Sequence, residues 1–256
     1  MNEMNEMEEM KEMGEMGDKD TMIHLGTSGW YYGHWQGRFY PPELERRQWL
    51  DFYAQRFSTV EVNASFYRLP SARMVEGWRR RTPEGFVLAF KGSRVVTHRR
   101  RLREVDDYLG TFYERISLAR EKRGPVLWQM PPSLERDDGL LESFLAVLNQ
   151  EVPQALEFRH RSWLARPVYR LLERYGMALC VASCPDLEPV VEVTAPFVYI
   201  RWHGPREWYA SGYTDQELQR WAHVIRNLEV PVYGYFNNDA RGYALDNCRT
   251  LREMLG

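Results

Sequence analysis

The sequence predicts a single-domain (β/α)8 barrel of the TIM type, and three observations carry that expectation. Strand-like and helix-like stretches alternate eight times, once every thirty residues or so, as expected of βαβ units and a parallel sheet. With 256 residues the chain can bury one large core. Several strands also turn polar on one face toward their C-terminal ends. An open doubly wound sheet, the runner-up, is apolar on both faces because helices cover both, and no Gly-rich dinucleotide fingerprint follows any strand here.

The first twenty residues stand apart from this march. Met recurs at every third position from Met1 to Met16, a period that builds neither a helical stripe nor a strand face. Eight acids against Lys11 and Lys19 give this stretch a net charge of −6, and subtracting it from the total of −2 leaves the rest at +4. Residues 1–21 are expected to be a disordered or weakly helical acidic tail, with Met22 as an alternative start, and residues 22–256 the barrel domain.

The expected strands are Ile23–Gly29, Thr59–Phe66, Phe86–Gly92, Pro125–Met130, Gln154–Arg159, Met177–Ser183, Phe197–His203 and Val230–Asn237. Amphipathic stretches at Arg47–Phe57, Ala72–Arg81, Glu104–Ala119, Leu140–Leu148, Pro167–Tyr175, Asp215–Asn227 and Tyr243–Leu255 supply the helices. The Pro-rich gap from Cys184 to Ala195 predicts a reduced or absent helix after strand six.

No apolar run approaches the ~20 residues of a membrane helix, and the acidic N-terminus lacks a secretory h-region. Cys180, Cys184 and Cys248 show no CxxC spacing, which suits reduced thiols in a cytoplasmic protein. The mild basicity beyond the tail suits a small anionic ligand and is too weak to argue for nucleic acid. Nothing in the chain fixes an oligomeric state.

Strand parity points to the site. In strand two, Val60, Val62 and Ala64 oppose Glu61, Asn63 and Ser65. In strand five, Leu156 and Phe158 oppose Ala155, Glu157 and Arg159; in strand seven, Val198, Ile200 and Trp202 oppose Tyr199, Arg201 and His203. The upper interior then collects Glu61, Asn63, Lys91, Gln129, Glu157, Arg159, Arg201 and His203. Charges inside a barrel are costly unless paired. One account is a structural ion-pair network, for instance Glu61 with Lys91 on the neighbouring strand. The other is a catalytic site where barrel enzymes carry their chemistry. Glu157 and Glu61 would serve as acid and base, His203 as a proton relay, and Lys91, Arg159 and Arg201 as holders of an anionic group.

Two loops add candidates. After strand eight, Asn237, Asn238 and Asp239 precede Arg241-Gly242, either capping the last helix or forming an anion site. After strand three, Lys91-Gly92-Ser93-Arg94 leads to Thr97-His98 and Arg99-Arg100-Arg101, a solvated surface run or a contact for phosphodiesters. Aromatics crowd the expected mouth, among them Trp30, Tyr67, Trp163 and Trp208, and could stack on a ring or pack the loops. No redox cofactor is expected. A divalent metal at Glu157, His160, His203 and Asp239 is a minor alternative without HxH or HxxxH support.

The strand ends resemble those of the YecE-like family, domain of unknown function 72. The stretches that carry the resemblance are GTSGWYYGHW with FYPP, VEVNASFYRLP, FVLAFKGSRVVTH, LWQMPPS, LEFRHRSW, VYIRWHG and YGYFNND, in that order, between about Ile23 and Leu255. The resemblance implies a TIM-type barrel with Ser28, Trp30, Glu61, Asn63, Tyr67, Lys91, His98, Gln129, Glu157, Arg159, Trp163, Arg201, His203, Asn237, Asn238 and Asp239 lining one mouth. It implies no particular reaction. The chain departs from the pattern at Ala182-Ser183-Cys184-Pro185, where an acidic residue would be expected near the end of strand six.

The expected function is a hydrolase or lyase that cleaves a small or flexible phosphate- or carboxylate-bearing substrate. A single-strand nucleic-acid binding module using the basic third loop is the non-enzymatic alternative. A glycoside hydrolase is the other, although strands four and seven carry Gln129 and Arg201 where retaining barrel glycosidases place carboxylates.

Overall fold

The computed structural model describes residues 23–256, so the acidic tail expected at residues 1–21 lies outside the described residues. Eight strands run parallel in the order β1-β8-β7-β6-β5-β4-β3-β2. They are β1 Ile23–Thr27, β2 Thr59–Val62, β3 Val87–Lys91, β4 Arg123–Gln129, β5 Gln154–Glu157, β6 Ala178–Ser183, β7 Val198–Trp202 and β8 Val232–Phe236. Around them pack α1 Trp49–Ala54, α2 Ala72–Arg81, α3 Asp106–Ser117, α4 Asp138–Val147, α5 Arg166–Arg174, α6 Asp215–Arg226 and α7 Tyr243–Leu255. This is the (β/α)8 barrel the sequence predicts, and no helix forms between β6 and β7, as the Pro-rich stretch there implies.

Local chemistry sets the helix starts. Ser71 caps α2 by accepting from the Met74 amide, and Asp137 caps α4 at Leu140 N, 2.9 Å. Thr214 and Glu217 form a reciprocal capping box at α6. The main core lies between strands and helices, with Trp35, Trp49, Trp128, Trp163 and Trp202 fully buried in it.

The ring closes between β1 and β2 by close approach and few ladder bonds. Ser28 and Glu61 form a single parallel bridge, and Gly29 N donates to Glu61 O at 2.8 Å. Gly26 permits this contact, because a Cβ there would stand 2.3 Å from the Thr59 carbonyl oxygen. Tyr53 of α1 stitches the seam further: its hydroxyl accepts from Thr27 N at 3.0 Å and donates to Thr59 O at 3.1 Å.

Inside the barrel, a small cluster comprises Ala89, Leu127, Ala155, Ala178, Cys180, Phe197, Tyr199 and Tyr235. Alanines on β3, β5 and β6 leave room for the rings of β7 and β8, so the interior is filled and forms an apolar floor. The polar layer rests on this floor.

One expected strand is shorter than its alternation suggests. Strand β2 stops at Val62, and Ala64–Tyr67 form a single helical turn. Ser65 therefore does not continue the inward row. Its hydroxyl donates to Val62 O at 2.8 Å and to Lys91 O at 2.7 Å, tying that turn to the end of β3.

Candidate functional site

Strand register brings the charged row together at the C-terminal ends. Gln129 and Glu157 pair one inward step beyond the floor pair of Leu127 and Ala155, and Lys91 and Arg201 follow the floor residues Ala89 and Tyr199 by the same step on β3 and β7. Glu61, Glu157, Arg201 and His203 are fully buried.

Arg201 is the hub. Its Nη1 donates to Glu157 Oε2 at 2.7 Å, and its Nη2 to Glu61 Oε1 at 2.7 Å and Ser28 Oγ at 3.1 Å. Tyr199, two residues earlier on the same strand, donates to Glu61 Oε2 at 2.8 Å. Ser28 donates to Glu61 as well and accepts from Asn63 Nδ2 at 2.8 Å. Glu61 is thus saturated without Lys91. The ion pair expected between Glu61 and Lys91 does not form, because the longer guanidinium from β7 reaches across the barrel and binds two carboxylates at once.

Glu157 is equally engaged. His203 Nε2 lies 2.8 Å from its Oε1, and Arg159 Nε 2.6 Å from the same oxygen. Burial opposes its charge, yet Arg159, Arg201 and His203 outweigh that and hold the carboxyl well below the usual range. Burial drives His203 the other way, down to about 3, so the imidazole is neutral. Asn237 Nδ2 stands 3.2 Å from its Nδ1, an arrangement that leaves the proton on Nε2, facing Glu157. Arg159 Nη2 also lies 3.0 Å from Nε2, a contact of two donors in this tautomer and so no hydrogen bond, and its guanidinium lies over the Trp208 ring, 4.4 Å from the centroid.

Lys91 is different. It is only 8 % exposed, and among the described residues its ammonium has neither an ion pair within 4.0 Å nor a hydrogen bond. Its nearest recorded company is the Phe66 ring, 4.2 Å from Nζ to the centroid. Burial and the field of Arg201 pull its ionisation down to about 7, against the weaker opposing pull of Glu61 and Glu157. Half-buried His98 stands beside it, lowered by burial and by Lys91 itself.

The remaining candidates divide. Tyr67 is 64 % exposed, with Arg94 5.7 Å over its ring, and Gln129 and Trp30 are half-buried at the rim. Trp163 is not brought to the opening. It stacks on Phe158 at 4.8 Å, and its indole N–H is used by Leu134 O at 2.7 Å. Asn238 is buried and ties the eighth loop to Ser211 O and Asn247 Oδ1. Asp239 accepts from Trp35 Nε1 at 2.9 Å and faces His34 Nε2 at 2.9 Å, so it fastens the first loop to the eighth.

The four residues weighed as metal ligands do not meet. Asp239 is held by Trp35, His160 by its own neighbour Ser162 at 2.8 Å, and among the described residues no group of three His, Cys, Asp or Glu converges as a metal site would. In the basic third loop, Arg100 lies 3.5 Å from Glu104, and Arg101 donates to Ser133 O at 3.0 Å. The surface hollow lined by Leu25, Ser58 and Arg252 lies away from this charge layer. Tyr199 is the network member that acid–base chemistry alone does not single out, and Ser28 enters only through the family resemblance. The shared parity of Tyr199, Arg201 and His203 is the signal that identifies the first.

No helix among the described residues is long and apolar enough to cross a membrane. The family described as "Protein of unknown function DUF72" matches residues 24–256. The UPF0759 protein YunF of Bacillus subtilis is 28 % identical over 270 residues, covering 91 % of this chain and 95 % of that one. The UPF0759 protein YecE of Escherichia coli K12 is 31 % identical over 146 residues, or 57 % of this chain and 51 % of YecE. Among solved structures, a DUF72 family protein from Thermotoga maritima superposes with a TM-score of 0.81 at 27 % identity, covering 91 % of this chain and 99 % of its own. Another, from Enterococcus faecalis V583, shares the fold with a TM-score of 0.79 at 20 % identity, covering 91 % and 95 %. The chain belongs to the DUF72 family and shares its barrel with the solved Thermotoga maritima member.

Proposed function

We propose that the protein is an enzyme that cleaves a small anionic substrate, phosphate- or carboxylate-bearing, at the C-terminal mouth of the barrel. One observation carries this reading: Lys91 is a largely buried cation that has no ion-pair or hydrogen-bond partner among the described residues, beside a network in which every neighbouring charge is already spent. Glu61, Glu157, Arg159 and Arg201 balance one another, so a protonated Lys91 leaves one positive charge unmatched. A ligand carboxylate or phosphate would supply the missing partner.

In this reading Glu157 stays ionised and holds Arg159 and neutral His203 in place. The proton that changes hands near neutral pH is that of Lys91, whose ionisation at about 7 matches the working range of a general acid or base. Glu61 anchors Arg201 and the floor. The glycosidase alternative finds no support, since both glutamates are buried on one guanidinium and do not flank an open groove. Three free, buried cysteines favour a reducing compartment such as the cytoplasm.

The test is ligand-induced stabilisation with phosphate, sulfate and short carboxylates, on the wild type and on Lys91→Met. These anions should raise the wild-type melting temperature, and the variant should lose most of that gain. Equal stabilisation of both proteins would refute the reading.

A further inference from the structure

The chain is strikingly unequal in its choice of cation: of 34 basic residues 30 are arginine, and lysine occurs only at positions 11, 19, 91 and 122. Among the described residues that leaves two, and both are buried. Lys122 explains itself. Its ammonium donates to Arg79 O at 2.7 Å, to the Thr82 carbonyl and to Thr82 Oγ1 at 3.2 Å, three acceptors for three protons. An arginine would be too wide to gather them.

Lys91 has no such explanation. A guanidinium holds a carboxylate or phosphate better than an ammonium does, and this barrel uses arginine almost everywhere else. What an amine can do and a guanidinium cannot is lose its proton near neutral pH and attack carbon.

The surroundings suit that chemistry. The backbone is pinned: Lys91 pairs with Leu127, its carbonyl accepts from Ser65, and Gly92 N donates to Leu127 O at 2.8 Å. Gly92 lies so close under Trp128 that a Cβ would stand 2.2 Å from the ring, so this segment has no room to shift. The charged groups facing Lys91 are Glu61 on β2, Glu157 and Arg159 from β5, Arg201 on β7 and His98 in the third loop. Both carboxylates are engaged by arginines, and none of the five gives Lys91 a salt bridge within 4.0 Å. Burial and these arginines bring its ionisation to about 7, which leaves much of it as free amine at neutral pH.

We infer that Lys91 is a covalent capture point for a carbonyl group, and that the substrate class is a small anionic aldehyde or ketone bound as a Schiff base. This deepens the proposed function and rests on it for the anionic part only. The amine lone pair of Lys91 adds to the carbonyl carbon, forming a C–N bond while the C=O π electrons move to oxygen. The nitrogen gives up a proton and the oxygen gains one, yielding a carbinolamine. The C–O bond then breaks, the oxygen leaves as water with a second proton, and C=N remains. One carbonyl and one primary amine are consumed, and one imine and one water are formed. The ligand's anionic group would lie toward Arg94 and His98, on the β3 side of the mouth.

The experiment is reductive trapping. Wild-type protein is incubated with glyoxylate, pyruvate or neutral acetaldehyde, reduced with cyanoborohydride, which delivers hydride to the imine carbon, and mapped by peptide mass. Lys11, Lys19 and Lys122 serve as internal controls. The expected result is a glyoxylate or pyruvate adduct on Lys91 at least tenfold above that on Lys11 or Lys19, with trapping that rises between pH 6 and pH 8. Adducts spread over Lys11 and Lys19 with Lys91 unmodified would overturn the inference. Stabilisation by glyoxylate without any adduct would overturn the covalent step and leave the anion reading standing. Trapping of acetaldehyde on Lys91 as efficient as that of glyoxylate would keep the covalent step and sink the anion reading.

Discussion

The two sides of the barrel mouth are built on opposite principles. On the β5–β7 side, Arg159, Arg201 and His203 all converge on Glu157 through contacts of 2.6 to 2.8 Å, and the outermost guanidinium is covered by Trp208. On the β3 side, Lys91, Arg94, His98 and exposed Tyr67 make cation–ring contacts and local bonds, but no ion pair among the described residues. A closed network of opposite charges rigidifies and has nothing left to offer a ligand. An incomplete one is an electrostatic vacancy. In the proposed reading, the first part of the polar layer holds the barrel mouth in shape and the second receives the ligand.

The largest break in that comparison is Arg201→Met. It leaves two buried carboxylates without their shared cation, and the expected loss is about 3–5 kcal/mol of stability, measured as a shift in the urea midpoint. A loss below about 1 kcal/mol would show that the β5–β7 side is not the structural half.

The two buried lysines sharpen the contrast. Lys122→Met strips three oxygens of their donor and should cost about 1–3 kcal/mol. Lys91→Met removes a buried cation with no partner and should be neutral or stabilising at pH 7. The sign also depends on pH. The folded-state ionisation of Lys91 lies at about 7 and that of the unfolded chain at the ordinary lysine value of 10.5, so between those values the unfolded state binds more protons. The contribution of Lys91 to wild-type stability therefore improves as pH rises from 7 toward 10.5, and the advantage of Lys91→Met over wild type should shrink across pH 7.5 to 9.5. A difference that stays constant over that range would show that Lys91 is charged throughout.

The smallest expected effect is that of Arg94→Ala, whose side chain reaches over Tyr67 at the rim. Stability should hold, and phosphate affinity by titration calorimetry should weaken by about twofold, the scale of an exposed charge contact.

Much of this was legible in the residues. The alternation of Ala155-Leu156-Glu157 and of Tyr199-Ile200-Arg201 is enough to put Glu157 and Arg201 inside, because side-chain direction in a strand has a period of two. The helix bounds at Ala72–Arg81 and Tyr243–Leu255 coincide with the amphipathic stretches, which carry clear starts at Ser71 and Gly242. What parity does not encode is reach. Glu61 sits next to Lys91 in strand order yet binds Arg201 from across the ring, since only a long forked side chain spans two carboxylates. Nor does alternation reveal where a strand ends: Glu61, Asn63 and Ser65 keep the polar rhythm while the backbone has already turned helical. Trp163 shows a third gap, for an aromatic near the mouth reads the same whether it faces outward or packs beneath a loop.

The single bridge between Ser28 and Glu61 joins the first strand to the second, and the same two side chains complete the shell around Arg201. Without the first strand, Glu61 would lack its serine and Arg201 one of its acceptors. Closing the ring and completing the polar layer are therefore one condition, and displacing the N-terminal strand would unpair the shell around Arg201 even with the other seven strands in register.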